Sequence, residues 1–171
     1  AEKAQLTAAD VEAKIVEARA ALEAKVKTAA MARPLKEEPK ELTTSDASGA
    51  PVRIGAAEGG KPVLLLFWAS FSAPSVKVLR VLTARSGAGA SRLVTVSLDR
   101  DPAAATGVAR DAGLPSLPAL DPEGKEAETF QVRGLPTLLV LDTQGRVRYR
   151  NEGMGPGYEI QLKAQLESLS G

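Results

Sequence analysis

The chain has 171 residues, of which 44% are hydrophobic and 25% charged, and its 22 basic and 21 acidic side chains leave a formal net charge of +1. This balance gives no electrostatic basis for binding nucleic acid or an acidic membrane surface. Cysteine and histidine are absent, which removes cysteine nucleophiles, Ser-His pairs and the usual zinc ligands. We therefore expect no metal and no cofactor. The longest apolar run, 63–69, is too short to span a bilayer, and no signal peptide is expected.

Residues 1–33 are rich in Ala, Glu and Lys and predict one long amphipathic helix, which Thr7 and Asp10 can cap and Pro34 ends. Its apolar positions recur at spacings of three and four and form one narrow stripe: Val11, Ile15, Ala18, Leu22 and Val26. We expect this stripe to pack on the chain's own domain, because helices usually rely on tertiary contacts. The alternative is a spacer, or self-association with a second copy through the N-terminal helix.

A charged, proline-marked linker is predicted at 34–41, and residues 42–171 predict one α/β domain. Apolar runs and turn residues indicate its elements in chain order: a hairpin turning at 46–49, a strand at 63–69, a helix at 74–85, a strand at 92–99, a helix at 101–112, strands at 137–142 and 146–151 joined by a turn, and a final helix at 158–169. This order predicts a mixed sheet flanked by helices.

Two segments of this domain carry a specific pattern. "FWASFSAPS" (67–75) joins the first buried strand to a helix, and "VRGLPTLLVLDTQG" (132–145) places a proline just before the second hairpin. Together they resemble the thioredoxin fold, in particular the TlpA/ResA-like group of extracytoplasmic thiol–disulfide oxidoreductases. The resemblance covers about residues 41–171 and leaves the first helix out.

The resemblance places Ser72 and Ser75 where that family has its two redox cysteines. A helix N-terminus favours a thiolate there, and a second thiol two residues further on resolves the mixed disulfide. Serine does neither, so we expect no disulfide exchange by this chain. The resemblance also implies a cis Leu135–Pro136 bond and a groove for an extended polypeptide, lined by Trp68, Phe71, Ala73, Pro74, Leu135 and Pro136. By the same resemblance the protein is expected outside the cytoplasm, in the bacterial periplasm or tethered to a membrane.

Two interpretations of the serines stay open. In one, the chain is a redox-inactive thioredoxin-like module that binds a polypeptide or has a structural role. In the other, it is the Cys-to-Ser form of a genuine oxidoreductase. The family's Glu and Pro further along the helix are replaced by Val78 and Arg80, and Leu66 stands where thioredoxins have a buried Asp. No buried carboxylate near the turn is evident, which favours natural loss of the chemistry.

A purely structural role for the serines is the simplest interpretation of the turn. Both Ser72 and Ser75 are expected to cap the helix that follows. A serine nucleophile would need a base, and Lys77 is predicted to point away from Ser72.

Overall fold

The computed structural model describes residues 7–31, 34–35, 37–54, 60–86, 89 and 91–169, with side chains between 26 and 31 left out, so Val26 lies outside the described side chains. Contacts divide the chain into two compact units. One is Leu35–Pro156, and the other combines Ala1–Pro34 with Gly157–Gly171. The final helix thus groups with the first, and the stretch predicted as a linker groups with the sheet from Leu35 onward.

The unit Leu35–Pro156 contains a five-stranded mixed sheet and three helices. The strands are β1 (Val63–Trp68), β2 (Arg92–Ser97), β3 (Ala119–Leu120), β4 (Thr137–Leu141) and β5 (Val147–Glu152), and the helices are α2 (Ala73–Arg85), α3 (Pro102–Asp111) and α4 (Lys125–Thr129). The spatial order is β3-β2-β1-β4-β5. β1 runs parallel to β2 and antiparallel to β4, as is typical of a thioredoxin-like fold.

The predicted strands form because their apolar runs are long enough to be buried on both faces of a sheet. Every residue of β1 and of β4 is buried, as expected for central strands covered on both sides. Alternate residues of β1 (Val63, Leu65 and Phe67) share one face of the sheet with a single large core cluster. Phe67 meets Phe130 there, with ring centroids 5.8 Å apart.

Two short elements, β3 and α4, were not predicted from the sequence. β3 has two residues and α4 has five, which is too few for either periodicity to be visible. Asp121 begins α4 by accepting hydrogen bonds from the backbone N–H groups of Glu126 (3.1 Å) and Ala127 (2.9 Å). The predicted hairpin is confirmed: the Val52 N–H donates to the Thr44 carbonyl at 3.0 Å, around a turn that Asp46 closes.

Residues 35 and 37–42 contact the sheet. The Leu35 N–H donates to the Arg148 carbonyl on β5 (2.7 Å), Glu37 pairs with Arg150, and Leu42 joins the core cluster. These contacts make the segment an extended strap on the sheet, although its charges and prolines suggested a loose connection.

The second unit contains α1 (Ala8–Met31), which packs against α5 (Tyr158–Ser168). Thr7 and Asp10 form the predicted cap through reciprocal hydrogen bonds. Every described side chain from 7 to 25 is exposed, and Val11, Ile15 and Leu22 are 44%, 62% and 47% exposed. α1 thus contacts the final helix of the domain that was expected to cover it, but this contact does not bury Val11, Ile15 or Leu22. The expected burial of the stripe is wrong for these three residues. Within the described ranges, no helix is both long enough and apolar enough to cross a bilayer.

Candidate active-site turn and cis-proline edge

The turn 69–72 and the loop before β4 lie at the same end of the central strands. Phe67 pairs with Thr137 in the antiparallel register of β1 and β4, so the next residue of β1, Trp68, lies opposite Pro136. The Leu135–Pro136 peptide bond is cis. Four residues after Trp68 the chain reaches Ser72, so both motifs of the sequence lie at the same end of the two central strands.

Ser72 is the N-cap of α2. Its backbone is extended (φ −100°, ψ 104°), and its hydroxyl accepts a hydrogen bond from the Ser75 N–H at 3.3 Å. Ala73 and Pro74 open the helix, which suits proline because the first turn has unsatisfied N–H groups in any case. The predicted capping role of Ser72 is confirmed, and an acceptor atom at this position faces a backbone donor at the positive end of a 13-residue helix.

Ser75 does not share that role. It is 0% exposed, and its hydroxyl has no hydrogen-bond partner among the described residues. The prediction that both serines cap the helix is therefore wrong for Ser75. A buried hydroxyl without a partner is unfavourable, whereas a thiol hydrogen-bonds only weakly and tolerates such a site. The packing at position 75 thus suits sulfur better than oxygen.

The two serines should respond with opposite signs to the same substitution. We expect Ser75→Ala to raise the free energy of unfolding by about 1 kcal/mol, because the unsatisfied hydroxyl is removed. We expect Ser72→Ala to lower it by about 1 kcal/mol, because the cap is lost. Urea unfolding followed by the fluorescence of the single tryptophan, Trp68, measures both. A destabilised Ser75→Ala variant would mean that this hydroxyl has a partner.

The predicted binding residues differ sharply in exposure. Phe71 is 78% exposed, and Ala73 and Pro74 beside it are exposed as well. Leu135 is partly buried against the core cluster, and Pro136 is buried. Trp68 is 0% exposed, so its ring belongs to the core and forms no surface shelf. The accessible part of this surface is therefore an apolar patch centred on Phe71.

A buried carboxylate lies at this turn, contrary to the sequence analysis. Asp99, which follows β2, is 5% exposed. Its oxygens accept hydrogen bonds from the Ser70 N–H (2.9 Å), the Ser70 hydroxyl (2.5 Å) and the Ser97 hydroxyl (2.6 Å). Asp99 thereby ties the turn two residues before Ser72 to the end of β2. In the sequence, the one indication of this role was the position of Asp99 just after a buried parallel strand, where side chains from adjacent strands come together.

Lys77, which was weighed as a base for Ser72, is exposed on α2. Within the described ranges, no group of three or more acidic side chains is placed to hold a metal ion. What the arrangement supplies is a helix N-terminus, a capping oxygen and an exposed aromatic ring.

The Redoxin family model matches residues 22–166 of this sequence. The chain belongs to the Redoxin family. No curated protein sequence matches it closely enough to count as a relative.

Several solved structures share the fold of this Redoxin-family chain. One is described as a candidate thiol:disulfide interchange protein DsbE from Chlorobium tepidum, with a TM-score of 0.68, 24% identity and coverage of 79% of this chain and 96% of that one. A thiol-disulfide oxidoreductase from Bacteroides fragilis has a TM-score of 0.64, 20% identity and coverage of 74% and 98%. A secreted Mycobacterium tuberculosis disulfide oxidoreductase homologous to E. coli DsbE has a TM-score of 0.63, 21% identity and coverage of 75% and 96%. At these identities the likeness establishes the fold.

Proposed function

We propose that this Redoxin-family chain is a redox-inactive thioredoxin-like module that binds an extended polypeptide at the end of its central strands, on the surface around Phe71–Pro74 and the loop Leu135–Pro136. The observation that carries the proposal is the composition of the turn. Serine occupies both positions of the dithiol, and next to them Phe71 is 78% exposed. Large aromatic side chains are normally buried or engaged at interfaces. An apolar patch beside the backbone of the loop before β4 suits a polypeptide that hydrogen-bonds through its backbone and inserts one side chain.

Binding should be measured with a polypeptide that cannot undergo disulfide exchange. A suitable probe is fluorescein-labelled insulin B chain with its cysteines alkylated by iodoacetamide, followed by fluorescence anisotropy. We expect Phe71→Ala to weaken binding about tenfold, or about 1.4 kcal/mol. The matched control is Val16→Ala, which removes an apolar side chain that is 64% exposed on α1. Equal affinities for the original chain and both variants would contradict the proposal.

The second candidate is that the natural protein is a dithiol oxidoreductase of which this chain is the Cys-to-Ser form. The buried, unpartnered hydroxyl of Ser75 favours it, since that site suits sulfur. The buried apolar residues Leu66 and Val78 favour natural loss, because they stand where related enzymes have carboxylates. Cysteine codons at positions 72 and 75 of the encoding gene would establish the second candidate, and serine codons would exclude it.

We propose an extracytoplasmic location under either candidate function. It is supported by the resemblance of the two motifs to extracytoplasmic oxidoreductases, and by one structure of the same fold that is described as secreted. Cell fractionation with an epitope-tagged full-length protein tests it. Recovery with cytoplasmic markers would contradict it.

We further propose that a second copy of the chain covers the α1 stripe. Val11, Ile15 and Leu22 recur at spacings compatible with helix pairing and are all exposed. We expect the double substitution Ile15→Glu with Leu22→Glu to convert a dimer to a monomer in light scattering. Val16→Glu, one residue off the stripe, is the control and should leave the dimer intact. A monomeric original chain would contradict this proposal.

A further inference from the structure

A cavity of about 400 Å³ lies in the unit Leu35–Pro156, away from the turn at Ser72. Its walls include Asp46, Val52, Arg53, Arg92, Thr95 and Leu117. In the parallel register of β1 and β2, Val63 pairs with Arg92 and Trp68 with Ser97. The cavity therefore begins at the opposite end of β2 from the candidate active-site turn.

The cavity adjoins a stretch of sheet edge that lacks a neighbouring strand. β3 pairs with β2 only at Val96 and Ser97, so within the described ranges the first three residues of β2 have no strand on that side. The Ser97 carbonyl accepts from the Asp121 N–H on the β3 side. Because backbone groups alternate along a strand, Leu93 and Thr95 face that same side. The Thr95 carbonyl lies in the ladder with Ala119 of β3, which leaves the Thr95 N–H and both polar groups of Leu93 toward the cavity.

The far wall of this gap is the hairpin that turns at 46–49. Its first arm is held to β3, since the Leu120 N–H donates to the Ser45 carbonyl at 3.0 Å. Its second arm is tied to β2, since the Arg92 guanidinium donates to the Arg53 carbonyl at 2.7 Å. β3 closes one end of the gap, and Ser116 and Leu117, which precede β3, also line it. Among the described residues, no strand pairs with Arg92–Val94 on this side.

Two further features point to a ligand in this gap. Thr95 is 4% exposed, and its hydroxyl has no hydrogen-bond partner among the described residues. Leu117 at the rim is 40% exposed, although large apolar side chains in this unit are otherwise mostly buried. A bound segment with one hydrogen-bonding group and one apolar side chain would give the Thr95 hydroxyl a partner and would cover Leu117.

The charges on the walls indicate the chemistry of that segment. Arg53 and Arg92 bring two guanidinium groups. The carboxylate of Asp46 is bound within its own turn by the Ser48 hydroxyl (2.6 Å) and the Ala50 N–H (3.2 Å). The Ser48 hydroxyl, above all, lowers the pKa of Asp46. A second copy of this edge would bring like charges together, whereas an acidic segment complements them.

We propose that the gap beside Arg92–Thr95 binds an extended acidic polypeptide segment as an added strand of the sheet, with its carboxylates at Arg53 and Arg92. This binding site is separate from the surface around Phe71–Pro74.

The test uses two labelled hexapeptides, one alternating valine and glutamate and one alternating valine and lysine, followed by fluorescence anisotropy. We expect saturable binding of the glutamate peptide only, weakened by added salt. Arg53→Glu should weaken it at least tenfold, and Arg92→Glu should do the same. Arg80→Glu on α2 reverses an exposed charge elsewhere and should leave it unchanged. Equal binding of both peptides, or equal effects of Arg80→Glu and Arg53→Glu, would overturn the proposal.

Thr95→Val separates a role in binding from a role in folding. We expect the urea midpoint to rise, because an unsatisfied buried hydroxyl is lost, while affinity for the glutamate peptide falls about threefold. A variant that is destabilised, or that binds unchanged, would contradict the assignment of this hydroxyl to the ligand. Phe71→Ala should leave the affinity unchanged, and a loss would place the peptide at the surface around Phe71–Pro74 and overturn the proposal.

Discussion

Replacing Ser72 and Ser75 together by cysteine is expected to create a disulfide and a protein-disulfide reductase activity. The geometry for it is present, because position 72 caps a helix and is partly exposed while position 75 is buried one turn on. The helix N-terminus lowers the pKa of a thiol at position 72, which makes it the attacking group. Insulin reduction with dithiothreitol at neutral pH, compared with buffer alone and with each single-cysteine variant, measures the gain.

The rate of that reaction distinguishes the two candidate functions. We expect it to be slow at pH 7 and to increase with pH, because Leu66 and Val78 supply no carboxylate for proton transfer. Asp99 does not substitute for them, since its oxygens are bound by Ser70 and Ser97. Brisk reduction by the double variant at neutral pH would instead favour a Cys-to-Ser form of a working oxidoreductase.

Asp99→Ala is expected to cause the largest loss of stability among substitutions at the turn. The carboxylate accepts three hydrogen bonds, and without it the fully buried Ser97 hydroxyl and the Ser70 N–H lose their partner. Hydrogen bonds to charged groups contribute about 1.5–3 kcal/mol each, and the losses are not additive. We expect the free energy of unfolding to fall by about 3 kcal/mol, measured by urea unfolding with Trp68 fluorescence.

Asp99→Asn is the matched control for that substitution. It keeps the size of the side chain and one acceptor oxygen, so we expect about half the loss. Hydrogen exchange at the Ser70 and Ser72 amides should speed up in the alanine variant more than in the asparagine variant. If Asp99→Ala unfolds at the same urea concentration as the original chain, the carboxylate does not hold the turn.

Much of the fold was predictable because its main signals are local. The apolar runs of β1, β2 and β4 are longer than those of a typical surface segment, and Ser72 caps its helix as predicted. The resemblance of two motifs then indicated how the strands associate. β3 and α4 were missed because two and five residues carry no detectable period.

The features that sequence analysis missed depend on packing between distant segments. Ser72 and Ser75 look equivalent in the sequence, and only the fold shows that one caps while the other is buried without a partner. Asp99 lies 29 positions from Ser70, so no local pattern links them. The apolar spacing in α1 predicts that the stripe contacts another apolar surface. The spacing does not indicate whether that surface belongs to the same chain or to a second copy.

The most direct test of the proposed function is to map binding of the alkylated insulin B chain by amide NMR on the isotope-labelled full chain. We predict saturable shifts clustered at Phe71–Ser75 and at 134–137, with no change in the covalent state of either partner. The absence of saturable shifts, or shifts confined to other parts of the chain such as α1, would contradict the account that this Redoxin-family protein holds polypeptides at the site of its missing dithiol.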